Sequence, residues 1–460
     1  MKDPKVNGIV FLLTLVMAST WLVPFSSTAQ PIAKREAEPP ARGSFLGMQQ
    51  AIELALRYHP LVQEADATLK AATARTDQAR SNYYPQVSAH FDTSAGAGRI
   101  NPRFLIGGFL VQANLSQYMG GVSIDQRIYD FGFTQHTVNS VHLAERAQEQ
   151  DINARRALVI LNVQTTYLTS LKRQRLVQIA EETVRERGIV RNQIEALYRQ
   201  QLKSKLDLDL VQVELTNAES LLVKARNEFK ASFANLNRAM GITGAEDYVL
   251  EALPIHVRPQ RPLEMLISDS LSHPEFRKAK ELTASAEARV TAMKRQFLPT
   301  VSAYASGGDF EVFDTSRVAQ TGGWWAVGGF ISMPLFTGFL IENQVREAKA
   351  QKEAADAASL NIGQALTQQV TNAYLDTVTF AQQIKLSEEQ VKTAQEALQL
   401  ARQRYRLGLG SVVEVTQSEV VLTGAQTKLA EAQYDYKISE VTLAYAAGLA
   451  GVPNGENLLP

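Results

Sequence analysis

Few residues in this 460-residue chain suit covalent or acid–base chemistry, and none stands in the pattern such chemistry needs. There is no cysteine, which excludes disulfides, thiolate metal sites, thiol nucleophiles and lipid attachment through an N-terminal cysteine. The histidines are His59, His90, His136, His142, His256 and His273. They form no His-Glu-x-x-His pair, the spacing that places two imidazoles and a general base on one helix face. His59 and His273 each precede a proline, where a structural role at a chain corner is the simpler reading. Gly96-Ala97-Gly98 lacks the third glycine and the Lys-Ser/Thr of a phosphate loop, and no Gly-x-Ser-x-Gly elbow occurs. An enzyme, a cofactor and a metal site therefore find no support in the residues. What remains are acids and glycines at turns. Asp207 follows Ser204 by three residues and Glu414 follows Ser411 by three, where the positive end of a helix dipole favours an acid. Gly408 and Gly410 suit a tight turn that needs residues tolerant of positive φ.

Those turns lie inside a duplicated unit. His59-Pro60 recurs as His273-Pro274, and Pro85-Gln86-Val87-Ser88-Ala89 recurs as Pro299-Thr300-Val301-Ser302-Ala303, both at an offset of 214 residues. Tyr167-Leu168, Tyr198-Arg199 and Gly241 recur as Tyr374-Leu375, Tyr405-Arg406 and Gly448 at an offset of 207, so one connection is shorter in the second half. Within each half a seven-residue seam runs along a helix. Leu422, Leu429, Tyr436 and Leu443 alternate with Ala425, Ala432, Ser439 and Ala446, and Leu215, Leu222, Phe229 and Leu236 alternate with Ala218, Ala225, Ser232 and Ala239. A further run, Ile384, Val391, Leu398 and Tyr405, precedes the second seam. From Thr134 to Gln200 there is no proline and only Gly188, and Leu340 to Leu407 contains only Gly363. A helix over such a stretch spans about 100 Å at 1.5 Å per residue. The turns Gln200 to Ser204 and Leu407 to Ser411 then fold each long helix back on its seam helix, giving two long α-hairpins.

Between the helices the period changes to two. Val87, Ala89 and Phe91 alternate with polar neighbours, as do Val122, Ile124 and Ile128, then Val301, Ala303 and Ala305. Trp325, Val327, Ile331, Met333 and Leu335 are expected on one face of a glycine-rich strand. One apolar and one polar face fits strands that separate lipid from water. Four strands cannot close a membrane barrel, and an open edge in hydrocarbon leaves backbone groups unpaired. The strands must then come from several chains, and a dimer or a trimer satisfies the count. Lys2 and Lys5 before the apolar run Ile9 to Ala18, with Ser27-Thr28-Ala29 after it, read as an export leader over 1–29 that leaves Gln30 first in the mature chain. Lys+Arg and Asp+Glu number 47 each, and this neutrality gives no footprint for nucleic acid.

The order helix, strand pair, long helix and return helix, twice over, resembles the TolC-like outer-membrane efflux protein family. The doubled Pro-x-Val-Ser-Ala strand starts, the strand exits Tyr129-Asp130-Phe131-Gly132 and Phe336-Thr337-Gly338, and the tip Tyr405-Arg406-Leu407-Gly408-Leu409-Gly410-Ser411 carry the resemblance, which covers about Phe45 to Val452. It implies a mainly α fold with transmembrane β: a homotrimer whose twelve-stranded barrel continues into a twelve-helix periplasmic tunnel, set in outer-membrane lipid. It implies an exit duct without catalytic residues, served by a periplasmic adaptor and an inner-membrane efflux pump or ABC exporter. Expected boundaries are the leader 1–29, a lead-in 30–44, repeats 45–244 and 263–452 around a linker 245–262, and a tail 453–460. By the same resemblance, Tyr405, Arg406, Leu407, Gly408, Leu409, Gly410 and Ser411 dock the adaptor, together with Tyr198, Leu202 and Ser204 of the first tip.

The resemblance also places Glu414 in an acidic ring at the periplasmic entrance. The family's second acid falls at neutral Gln417. Asp207 corresponds to an acid that the family latches to a base, but that base falls at Gly410, leaving Arg406, Lys203 or Lys205 as substitutes. Two other classes carry long helices. A periplasmic adaptor has one hairpin with added β-rich modules, and a trimeric adhesin or stalk has a continuous coiled coil; the duplicated hairpins and strand pairs fit neither.

Overall fold

The structure, a computed structural model, describes residues 43–99, 112–243, 248–314 and 320–449. The expected leader, nearly all of the lead-in and the tail lie outside them. Strand β1 (Phe45–Leu46) is followed by α1 (Met48–Tyr58) and α2 (Pro60–Arg80), strands β2 (Gln86–Arg99) and β3 (Gln112–Tyr129), and helices α3 (Phe133–Arg199) and α4 (Lys205–Met240). The order then repeats as β4 (Val249–Leu250), α5 (Leu263–Ser270), α6 (Pro274–Arg295), β5 (Thr300–Asp314), β6 (Gln320–Ser332), α7 (Leu340–Arg406) and α8 (Val412–Ala446). Helices α3 and α7 are each 67 residues long, as the proline-free stretches require. Each packs antiparallel on its return helix, and α3 also packs on α8, which joins the two hairpins.

The seams are the contact. Ala218, Ser232, Leu236 and Ala239 of α4 are buried, as are Ala425, Ala432, Tyr436, Ser439, Leu443 and Ala446 of α8. Small residues in these rows let the helix backbones approach. The two His-Pro corners are built alike. His59 Nδ1 accepts from Leu61 N at 3.1 Å and His273 Nδ1 accepts from Glu275 N at 3.2 Å, so each imidazole caps a helix whose first residue is proline. Gly241 and Gly448, both at positive φ, end the return helices against those corners, where a Cβ would stand 2.7 Å from His59 Cα and 3.1 Å from His273 Cα. Two buried tyrosines fix the linker. Glu251 N donates to Tyr167 Oη at 2.9 Å, and Arg258 N donates to Tyr436 Oη at 3.0 Å.

All four long strands form one antiparallel sheet in the order β2-β3-β5-β6, leaving β2 and β6 as its edges among the described residues. One face carries exposed apolar side chains, led by Trp325 (82%), Val327 (72%) and Ile331 (72%). Met333 and Leu335, expected on the same strand face, lie past the end of β6. Pairing stops at Thr300↔Ser332, because β5 begins only after Pro299, which has no N–H to extend the ladder. At both strand-to-helix corners two consecutive residues are left-handed: Phe131 and Gly132 (φ 52° and 89°) and Gly338 and Phe339 (φ 61° and 65°). Among the described residues no helix is long and apolar enough to cross a membrane.

Candidate functional site

The hairpin tips gather the residues singled out by sequence. At the first, Gln201 N donates to Tyr198 O at 2.8 Å and Leu202 N to Leu197 O at 2.9 Å. At the second, Gly408 N donates to Tyr405 O at 3.1 Å and Leu409 N to Arg404 O at 2.9 Å. This is the same helix stop twice, and it requires a left-handed residue, Gln201 (φ 61°) or Gly408 (φ 75°). Gly410, read from sequence as a second positive-φ glycine, is not one. It sits in a tight space, since a Cβ there would stand 3.0 Å from the mobile Glu414 Oε2 and 3.2 Å from Arg404 Cβ. Leu202, Leu407 and Leu409 are exposed, as are Arg406, Gly408 and Ser411, and Tyr198 is on the borderline. Tyr405 turns inward and packs against the buried cluster of Ile194, Val211 and Val412, which draws on both hairpins. Lys203 Nζ lies 4.3 Å from the Tyr405 ring centroid and ties the first tip to the second.

The acids are held differently. Asp207 N donates to Ser204 Oγ at 3.1 Å, while Asp207 Oδ2 accepts from Ser204 N at 3.2 Å and from Ser204 Oγ at 2.9 Å, a reciprocal capping box. Of the bases offered for its latch, Lys205 pairs with Asp209 at 2.6 Å, Lys203 stacks on Tyr405, and Arg406 Nε donates to Arg402 O at 3.4 Å. Glu414 N donates to Ser411 Oγ at 3.3 Å, but its carboxylate turns to Arg404, 3.4 Å from Nε. The Glu414 side chain is 47% exposed, and Gln417 is exposed one turn further on.

Sequence reading missed a charged bridge just above the tips. Arg402 of α7 donates to Glu419 Oε1 of α8 at 2.9 Å and to Glu186 Oε2 of α3 at 3.1 Å, linking the two hairpins. Beside it, the buried Arg187 donates to Glu214 Oε2 at 2.9 Å and to Glu214 O at 2.7 Å. Burial pushes the Glu419 carboxyl above its usual range, against the pull of Arg402. A signal existed: Glu419 falls between Val415 and Leu422 on an apolar stripe, where an acid needs a partner. Among the described residues no group of three or more His, Asp or Glu is placed to hold a metal ion.

A duplicated pair of long α-hairpins carrying a four-stranded sheet with one exposed apolar face is the fold of outer-membrane channel subunits. The crystal structure of the outer-membrane protein VceC from Vibrio cholerae superposes with a TM-score of 0.74 at 19% identity, covering 87% of this chain and 96% of that one. The family model described as outer membrane efflux protein matches residues 51–242 and 266–449, and the chain belongs to that family. Its relatives include the toluene efflux pump outer membrane protein TtgC of Pseudomonas putida, 24% identical over 87% of this chain and 82% of that one. The alkaline protease secretion protein AprF of Pseudomonas aeruginosa is 22% identical over 88% and 85%. The chain is accordingly an outer-membrane transport protein with a periplasmic extension.

Proposed function

We propose that three copies of this chain form a passive exit duct, with a twelve-stranded barrel in the outer membrane and a twelve-helix tunnel in the periplasm. The observation that carries this reading is the sheet: four strands, an apolar outer face, and edges at β2 and β6 that hydrocarbon does not allow to stay unpaired. Pairing β6 of one copy with β2 of the next satisfies every edge and brings the strand count above the eight a membrane barrel needs. Substrates arrive from an inner-membrane pump or ABC exporter through a periplasmic adaptor; relatives named for an efflux pump and for protease secretion support a role in export. The exposed leucines Leu202, Leu407 and Leu409 suit the docking of adaptor helices. Glu414 forms the entrance ring, with neutral Gln417 one turn on and Asp207 in the matching place on the first hairpin. Repeats 45–244 and 263–452, a linker 245–262, a cleaved leader 1–29, a lead-in 30–44 and a tail 453–460 complete the arrangement.

Native mass spectrometry of the detergent-extracted protein is expected to give a trimer that dissociates on heating. A stable folded monomer would overturn the duct.

A further inference from the structure

The polar face of the sheet differs between its two halves. On the β2–β3 half it carries hydroxyls and acids: Ser88 and Ser123 hydrogen-bond at 2.8 Å across the strands, and Asp92 and Asp125 are exposed. On the β5–β6 half the same face carries a ladder of aromatic rings. Phe330 pairs with Ser302, Tyr304 with Gly328, Trp324 with Gly308 and Phe310 with Gly322, so each ring faces a residue with little or no side chain. The rings lie down on those glycines. A Cβ on Gly328 would stand 2.8 Å from Tyr304 Oη, one on Gly322 would stand 3.0 Å from Phe310 Cε1, and Trp324 reaches across to within 3.2 Å of a Cβ on Gly121. From Phe330 to Gly322 the ladder covers about 26 Å at strand rise, or about 20 Å of height at the usual strand tilt, most of a membrane barrel's apolar band.

We propose that this ladder is a binding track for aromatic organic cations in transit. The proposal rests on the barrel reading above: with Trp325, Val327 and Ile331 toward lipid, the ladder faces a water-filled lumen, where only a passing solute can cover it. Its preference for cations comes from the neighbouring half. Asp125 is in register with Tyr304, and Asp92 lies in the row of Phe310 with Met119 between them, while Arg127 on that face is 3.6 Å from Asp130 and directed to the helix corner. Carboxylates beside aromatic faces attract a charge and a planar ring together. His90 adds a ring to the row of Trp324, at 6.3 Å between centroids. A trimer presents three such tracks, separated by three polar walls.

Planar-bilayer recording of the purified trimer tests this with tetraphenylphosphonium and its aliphatic counterpart tetrabutylammonium. A charged entrance alone treats two monovalent cations alike, so the comparison isolates the rings. The expected result is block by tetraphenylphosphonium at about five- to tenfold lower concentration, a preference lost in Tyr304→Ser/Trp324→Ser and in the milder Phe330→Ser, and kept in Trp325→Ser. Equal block by both cations, or a preference that survives ring removal, overturns the track while the duct stands. The chain lacks cysteine, so Trp324→Cys and Trp325→Cys can be probed singly with a membrane-impermeant thiol reagent. Labelling of Trp325→Cys instead of Trp324→Cys, or failure to form a conducting trimer, overturns the barrel reading and the track with it.

Discussion

At the scale of single residues, the two capping histidines work only as neutral acceptors. Burial lowers the pKa of His273 from its usual 6.5, and burial together with the charge of Arg238 lowers that of His59. Protonation turns each Nδ1 into a donor facing an amide N–H and sets a positive charge at the positive helix end. The sign follows: the caps contribute fully above the unfolded value near 6.5, and this stability is lost as pH falls through the lowered folded values. The melting temperature is expected to drop as pH falls below about 6.5, and the drop to shrink in His59→Asn/His273→Asn, where an amide oxygen keeps the cap. Circular-dichroism melts across that range check this; an unchanged pH slope in the double variant rules the caps out. Gln201 is strained too, as Phe131 and Phe339 are, holding the left-handed seat that glycine holds at 408. Gln201→Gly is expected to raise stability by about 1 kcal/mol, read from the urea midpoint.

At the scale of elements, the hairpins are joined by charge as well as by packing. Glu419 is 5% exposed, so its carboxylate depends on Arg402. Arg402→Ala is expected to cost about 3 kcal/mol, mostly from leaving that acid buried and unpaired. Adding Glu419→Gln is expected to recover part of the loss. A double-mutant cycle by denaturant unfolding tests this, and strictly additive effects would mean that the bridge is incidental. The exposed pairs nearer the tips, such as Lys205 with Asp209, contribute little by comparison, because solvent screens them.

At the scale of the whole molecule, the proposed duct makes the entrance charge a property of the assembled copies. In the proposed trimer, three symmetry-related Glu414 carboxylates in a narrow mouth would attract cations, and Arg404, 3.4 Å from each one, would offset part of that field. In that proposed trimer, Glu414→Gln is expected to weaken block by multivalent cations from the periplasmic side roughly fivefold, and Arg404→Gln to strengthen it. Single-channel recordings in which both variants match the unmodified channel would leave Glu414 as a helix-start acid only.

The sequence alone determined what depends on neighbours along the chain. Uninterrupted helix period and a stop at each tip placed the long helices within one residue of where they run, Phe133–Arg199 and Leu340–Arg406. Period-two alternation located the strands, and the doubled motifs revealed the repeat before any contact was known. Only tertiary structure decided what depends on partners far away. The end of β6 is set by where β5 begins, so alternation carried through Met333 and Leu335 misplaced it. Gly410 has an ordinary φ, and what sets it apart is the close approach of Arg404 and Glu414 to its α-carbon. Arg402 meets Glu186 across 216 residues, and no spacing rule along one helix anticipates that pair. The aromatic ladder exists because strand register sets each ring against a glycine or a serine, a relation between strands that neither strand carries by itself.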